Sequence, residues 1–489
     1  MRSRPSMFDL VDGASLGFVR IGFGLIVAWE GVRYLDRGWV DRYYGGPKPT
    51  FTYRWFEFVQ PLPDPFTPLP WLLMIGAGIW LATGRAHRGA ATLCWLTLSY
   101  SLLLDKSQYL NHMYLMALLA FLLAVVPAGN ALALGRRLDR PVPAIAVDLI
   151  AFQIAVPYFF GGVAKLNGEW FAGRPLVGWL AESTDVPVFG PLFGFEAIGH
   201  GLALAAVLFD LTIVGFLIWR RTRPAAFLFV VLFHVLNARL FSIGVFPWLM
   251  ILATTIYLPT NWPRLAVGGL RGPDVARRAR VVAAATIGAV IGAFFFPTVV
   301  ITHVVVSAFG FGLVAWLYTE NRAQSEQAEP APAIPWKGAP IGPWRTAVVI
   351  VAAVWVAVQV TVPLRHHLSS TEVAWAEDGH RFSWRMKLRE KHGTLQLTIE
   401  EPDGSRRAVA LDQHLRQRQI SKMTTRPDMI VDFARRLEDQ AGYDIGVFAE
   451  SAVSLNGRSL QPFVRPDVDL TEVESPWLGA AWYITPRAE

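Results

Sequence analysis

The chain has 489 residues, of which 53% are hydrophobic, 13% aromatic and only 17% charged, an apolar excess that a soluble globular domain does not carry. Its formal charge is +7, but the arginines sit between apolar runs and not in a stripe interleaved with aromatics, which argues against nucleic-acid binding. A lone cysteine, Cys94, excludes an internal disulfide framework and a cysteine-held zinc site, and no metal is expected.

The N-terminal "MRSRPSMFDL" has no small-residue cleavage site behind a short apolar core, so no removable signal peptide is expected. Apolar segments follow near 14–34, 69–84, 90–105, 112–128, 144–164, 200–219, 225–240, 244–259, 281–297, 299–319 and 346–363. Several approach the roughly 20 residues that cross a bilayer. The loops "GRAHRGA", "LGRRLDRP", "WRRTRP" and "LRGPDVARRARV" follow the second, fourth, sixth and eighth segments, and "RSR" precedes the first. Arginine therefore marks every second loop, which by the positive-inside rule predicts a cytoplasmic N-terminus. The C-terminal domain then lies outside, on the same side as the loops holding "DKSQYLNH" and "KLNGEW".

Residues 321–340, "NRAQSEQAEPAPAIPWKGAP", read as a linker before the last span. From His380 onward, "HRFSWRMKLREKHGTLQLTIEEPDGSRRAVAL" alternates apolar and polar residues around a turn at "PDGS", which predicts an antiparallel hairpin or larger sheet. "PDMIVDFARRLEDQ" has apolar residues at helical spacing. The expected architecture is a multi-pass α-helical membrane domain over 1–363, followed by an extramembrane β-rich (α+β) domain over 364–489.

Polar residues inside apolar segments mark candidate sites, because an ionisable group at mid-span costs roughly 2.5–3.5 kcal/mol on insertion scales and needs a partner or water. Asn111 and His112 open the fourth segment, with helix capping as the plain alternative for the asparagine. His234 and Asn237 lie three apart on one face of the seventh. Asp210 interrupts the sixth and is expected to pair with an arginine such as Arg20. Lys165 closes "FFGGVAK"; only Lys48, Lys106 and Lys165 are lysines in the first 330 residues, and a lysine, unlike an arginine, can lose its charge on burial. Its plain alternative is a side chain reaching for the lipid headgroups.

"YLNHMYLMALLAF", "FFGGVAKLNGEWFAG", "LFDLTIVGFLI" and "FHVLNARLFSIGVFPWLMI" resemble, in order and spacing, the signature blocks of the vitamin K-dependent γ-glutamyl carboxylases. "RFSWRMKL" and "VSLNGRSLQPFVRPDVDL" resemble the same family's extramembrane β-rich region. The resemblance implies that reduced vitamin K (phylloquinone or menaquinone hydroquinone) and O2 generate a strong base, that a glutamate γ-carbon loses a proton to it, and that the carbanion takes up CO2. No side chain could remove that proton directly, since even a lysine amine has a reference pKa of about 10.4.

By the same resemblance the base that deprotonates the hydroquinone falls on Lys165, with Asn111 and His112 against the reacting oxygens as hydrogen-bond donors. His234 and Asn237 line the pocket, Gly161 and Gly162 allow close approach of backbone or quinone ring, and Trp384 and Met386 line the pocket mouth. Relative to the animal enzymes, Arg385 stands where an acid is expected and His380 where a tyrosine is. The implied partners are a lipid bilayer and a glutamate-containing protein or peptide; the expected location is a prokaryotic cytoplasmic membrane, and the sequence does not set the oligomeric state. A quinone epoxidase without glutamyl carboxylation and a non-enzymatic membrane module stay open as alternatives.

Overall fold

A computed structural model of the chain describes residues 6–135, 139–241, 243–271, 275–295, 308–310, 312–316, 343–368 and 371–473. Within the N-terminal part the helices are α1 (Ala14–Asp36), α2 (Leu69–Thr83), α3 (His87–Leu103), α4 (Asn111–Val125), α5 (Ala144–Ala164), α6 (Glu196–Ile218), α7 (Arg223–Leu240), α8 (Phe246–Thr254), α9 (Trp262–Arg271) and α10 (Val275–Phe295); α11 (Pro343–Leu364) follows. Ala14–Asp36, Ala144–Ala164, Glu196–Ile218, Arg223–Leu240 and Arg345–Leu368 are long and apolar enough to cross a membrane, and Leu69–Thr83, Asn111–Val125 and Phe246–Tyr257 are shorter apolar helices. The expected linker 321–340 and most of the expected segment 299–319 lie outside the described residues.

The helices assemble through close backbone approaches, the usual substitute for hydrophobic driving force in lipid. Gly24 of α1 and Gly78 of α2 face each other so tightly that a Cβ on either would sit 2.5 Å from the other's carbonyl oxygen. Helix α4, rich in Leu, Ala and Met, runs unbroken until Val126, which turns extended ahead of Pro127. Arg20, fully buried on α1, donates to the carbonyls of Ala128, Ala131, Leu132 and Ala82. These are carbonyls at or just past helix ends, which a planar guanidinium with several donors can bridge at once.

The C-terminal part holds a four-stranded sheet of order β4-β3-β5-β6, formed by β3 (Lys391–Glu400), β4 (Arg406–Ala408), β5 (Gly446–Leu455) and β6 (Gln461–Pro462). A separate two-stranded pair, β1 (Leu10–Val11) with β2 (Val142–Pro143), belongs to the helical part. The expected hairpin forms: β3 and β4 are antiparallel, with Glu400 opposite Arg406 and a turn through Gly404 at φ +81°. Two helices, α12 (Gln417–Met423) and α13 (Pro427–Ala441), cover one face; Pro427 suits the first turn of α13 and Gly442 ends it at φ +74°. Alternate residues Leu397, Ile399, Val447 and Ala449 pack on Ile430, Phe433 and Leu437.

Residues 380–390 are not the strand that their alternation predicts. They form consecutive turns with Phe382, Trp384 and Lys387 at positive φ. Burial overrides the pattern here: Phe382 meets Tyr109 and Tyr114 edge-on at 5.0 and 4.9 Å, and Trp384 stacks on Tyr114 at 5.0 Å.

The two parts interlock by exchanging aromatics. Phe51, from the connection between α1 and α2, is 1% exposed within the core of the C-terminal domain, while Trp384 of that domain is fully buried in the core of the helical bundle. Arg416, Gln419 and Arg436 donate to carbonyls of Gly45, Lys48, Pro49 and Thr50. Lys106, between α3 and α4, pairs with Asp432 and sits 3.1 Å from Asp428, which also accepts from Arg381 at 2.8 Å. Lys106→Met should destabilise the docked state by about 1.5–3 kcal/mol, because Asp432 loses its cation while Asp428 keeps Arg381. Limited proteolysis and thermal unfolding of the purified protein would show the C-terminal domain cut earlier and melting lower; unchanged behaviour would remove the ion cluster from the docking account.

Candidate functional site

A cavity of about 1150 Å³ lies between the helical bundle and the C-terminal domain. Leu208, Phe209, Phe229 and Phe233 of α6 and α7 give it an apolar lining, beside the polar residues of the same helices and of the C-terminal domain. Asn111, His112, Lys165, His234, Asn237 and Met386 all line it.

Lys165 caps the C-terminal end of α5, buried at 7% exposure. Its Nζ donates to Asp210 Oδ2 at 2.6 Å and to the Gly161 carbonyl at 3.1 Å, and lies 5.5 Å from the centre of the Trp170 ring. Asp210 therefore pairs with Lys165 and not with Arg20, whose donors are taken by carbonyls. The amine is not sheltered by apolar contacts alone, as expected; it faces a carboxylate across a distance that a proton can cross.

Gly161 and Gly162 do not line the cavity. A Cβ on Gly162 would meet the Leu211 Cδ2 at 2.7 Å and its backbone nitrogen at 3.1 Å, so this glycine lets α5 and α6 touch and brings Lys165 level with Asp210. Trp384 is likewise absent from the lining, held in the bundle core against Tyr114.

Asn111 is the first residue of α4, but Leu110 occupies the cap position and the asparagine makes no capping bond. Its Oδ1 instead accepts from the Tyr109 hydroxyl at 3.0 Å. His112 Nε2 lies 3.3 Å from Glu30 Oε1, and the other oxygen of Glu30 is held by Arg33. An ionised carboxylate only accepts, so Nε2 carries the hydrogen. His234 Nε2 bonds the Tyr158 hydroxyl at 2.9 Å, and that hydroxyl lies 3.2 Å from Thr254 Oγ1.

The C-terminal domain contributes a basic wall that includes Arg385, Arg389, Arg418, Lys422 and Arg426. Glu377 pairs with Arg389 and lies 3.9 Å from Arg426. Among the described residues no carboxylate lies within 4.0 Å of Arg385, Arg418 or Lys422. Burial and then the neighbouring Arg389 and Arg385 push His380, also in the wall, well below the usual imidazole range, so it is neutral. Burial, reinforced by Arg426 and Arg418, brings Lys422 down to about 8.

Glu30, Tyr158 and the basic wall escape a sequence reading. Glu30, an acid inside the apolar run "IVAWEGVRYL", carried the same signal that marked Asp210. The cations in "SWRMKLRE" and "LRQRQISK" read as ordinary solvated charges, and nothing in their spacing says that they converge.

Residues 8–262 match the HTTM domain, and residues 344–489 match the lumenal domain of the vitamin K-dependent gamma-carboxylase. The chain belongs to the vitamin K-dependent gamma-carboxylase family. No solved structure matches it.

In this carboxylase-family chain the wall of cations would attract an anion entering the cavity. Lys422 is charged below about pH 8 and neutral above it, so attraction for an anion falls as pH rises through that value. A charge-assisted contact contributes about 1.5–3 kcal/mol. Binding of a glutamate-containing peptide, followed by calorimetry, should weaken roughly tenfold between pH 7 and 9, and Lys422→Arg should flatten the profile; a flat wild-type profile would show that Lys422 does not meet the ligand.

Proposed function

We propose that the protein is a membrane carboxylase that couples oxygenation of a reduced vitamin K quinone, phylloquinone or menaquinone, to carboxylation of glutamate side chains. One observation carries the reading: the Lys165–Asp210 pair, the Asn111–His112 end of α4 and three cations that among the described residues have no carboxylate within 4.0 Å face a single cavity. At about 1150 Å³ it exceeds the roughly 300–1,000 Å³ typical of small-molecule pockets, which leaves room for a tailed ring and a peptide side chain together. The stacked rings of Phe209 and Phe233, 4.1 Å apart, give its apolar lining flat surfaces suited to a quinone and its isoprenoid tail.

The bound hydroquinone, with O2, supplies the strong base that no side chain provides. Lys165 takes the hydroquinone proton, and Asp210 at 2.6 Å orients the amine and shares the proton. Asn111 donates to developing oxyanions, and His112, whose Nε2–H is given to Glu30, would add a donor from Nδ1 only when both ring nitrogens carry hydrogens. Arg385, Arg418 and Lys422 hold the glutamate carboxylate. That last role favours the coupled carboxylase over an uncoupled epoxidase, because a site for a neutral quinone alone has no use for a wall in which several cations surround the acid Glu377. The arginine-rich loops on alternate sides support a peptide-binding face outside and an N-terminus in the cytoplasm.

Purified protein incubated with reduced vitamin K, O2, labelled bicarbonate and a glutamate-containing peptide should yield both quinone epoxide and labelled peptide. Lys165→Ala should lose both by about 10²–10⁴-fold, the usual contribution of a general base. Epoxide without label would leave only the epoxidase, and full activity in Lys165→Ala would remove the enzymatic reading.

A further inference from the structure

The hydrogen bonds around Asn111 decide which end of its amide faces the cavity. Tyr109 lies in the turn between α3 and α4, buried, with its ring edge-on to Phe382 at 5.0 Å. The backbone N–H of Phe382 donates to the Tyr109 oxygen at 2.8 Å. Burial raises this phenol well above its usual range, so the hydroxyl keeps its hydrogen. That hydrogen goes to Asn111 Oδ1 at 3.0 Å. With the carbonyl end occupied, Nδ2 is left over; among the described residues it has no protein partner, and Asn111 lines the cavity. The directions agree with donor chemistry: the main-chain N–H of Phe382 donates to the phenol, the phenol's own hydrogen goes to the Asn111 oxygen, and only the oxygen of the amide accepts.

We infer that Tyr109 is a positioning residue that fixes Asn111 as a hydrogen-bond donor toward the ligand, and that docking of the C-terminal domain sets this orientation through Phe382. The inference rests on the reading of the cavity as a quinone site and adds a requirement: the ligand presents an acceptor oxygen to Nδ2. Phe382 is placed for this by its left-handed backbone at φ 62° and by rings of the helical part, Tyr109, Tyr114 and Tyr53, packed around it. Without the docked turn the Tyr109 hydroxyl loses its donor and is free to accept from Nδ2, which would turn the amide around.

The test is a double-mutant cycle in the full-length protein with Tyr109→Phe, Asn111→Ala and both, read as kcat and KM for hydroquinone epoxidation and as the dissociation constant for menadione. Tyr109→Phe should lower kcat by about 10- to 100-fold at little change in KM, up to the loss typical of one oxyanion donor, and should add nothing in the Asn111→Ala background. Independent, multiplying losses would assign Tyr109 a merely structural role and overturn the inference. Asn111→Asp keeps the acceptor for Tyr109 but offers no amide donor; it should be as impaired as Asn111→Ala, and retained activity would overturn the donor assignment even if Tyr109→Phe fails to fold. If wild type binds menadione but gives no epoxide, the carboxylase reading fails while the cycle on the dissociation constant still decides the inference. Wild type that neither binds nor reacts overturns both.

Discussion

The reciprocal burial of Phe51 and Trp384 is the constraint on which the site depends. Each domain lends one large aromatic to the other's core, and fully burying such a side chain contributes about 1.5–3 kcal/mol. The contact fixes orientation as well as adhesion, since two separate insertions cannot both be kept if one domain turns on the other. Lys106 and its carboxylates lie on the same interface, and the turns carrying Trp384 also carry Arg385 and Met386 into the cavity. The basic side of the cavity therefore depends on docking.

Two sets of ionisable groups inside the bundle are matched. Lys165 has Asp210, and Glu30 is shared between His112 and Arg33. Buried pairs of this kind are poor sources of net stability, because desolvation offsets most of their attraction. Their persistence among apolar helices, with both sets on one cavity, is better explained by chemistry done there than by folding. Small residues make the geometry attainable: Gly162 admits Leu211 to close contact, and the Lys165–Asp210 distance follows from that approach of α5 to α6.

Charge is distributed unevenly around the same space. In the bundle Lys165 meets Asp210 and Glu30 meets Arg33, whereas among the described residues no carboxylate lies within 4.0 Å of Arg385, Arg418 or Lys422, Glu377 acting on Arg385 and Lys422 from farther away. Such positive charge, partly withdrawn from water, attracts anions. The acid expected at position 385 from the animal enzymes would have reduced it, so the arginine there alters the cavity and not merely the surface.

Much of the membrane architecture was written in the sequence itself, because a bilayer demands long apolar helices and marks their loops with arginine, and both demands are local in the chain. The hairpin of β3 and β4 and the helix α13 were legible for the same reason, as periodicity is read within one segment. Polar residues in apolar runs pointed to Asn111, His112, Lys165, His234 and Asp210. Only the tertiary structure decided who meets whom: that Asp210 answers Lys165 while Arg20 spends its donors on carbonyls, that the alternating stretch after His380 folds into turns under the pull of Tyr109 and Tyr114, and that distant cations form one wall. Those outcomes depend on close packing of segments far apart in sequence, where a single glycine or an exchanged aromatic sets distances that no spacing along the chain records.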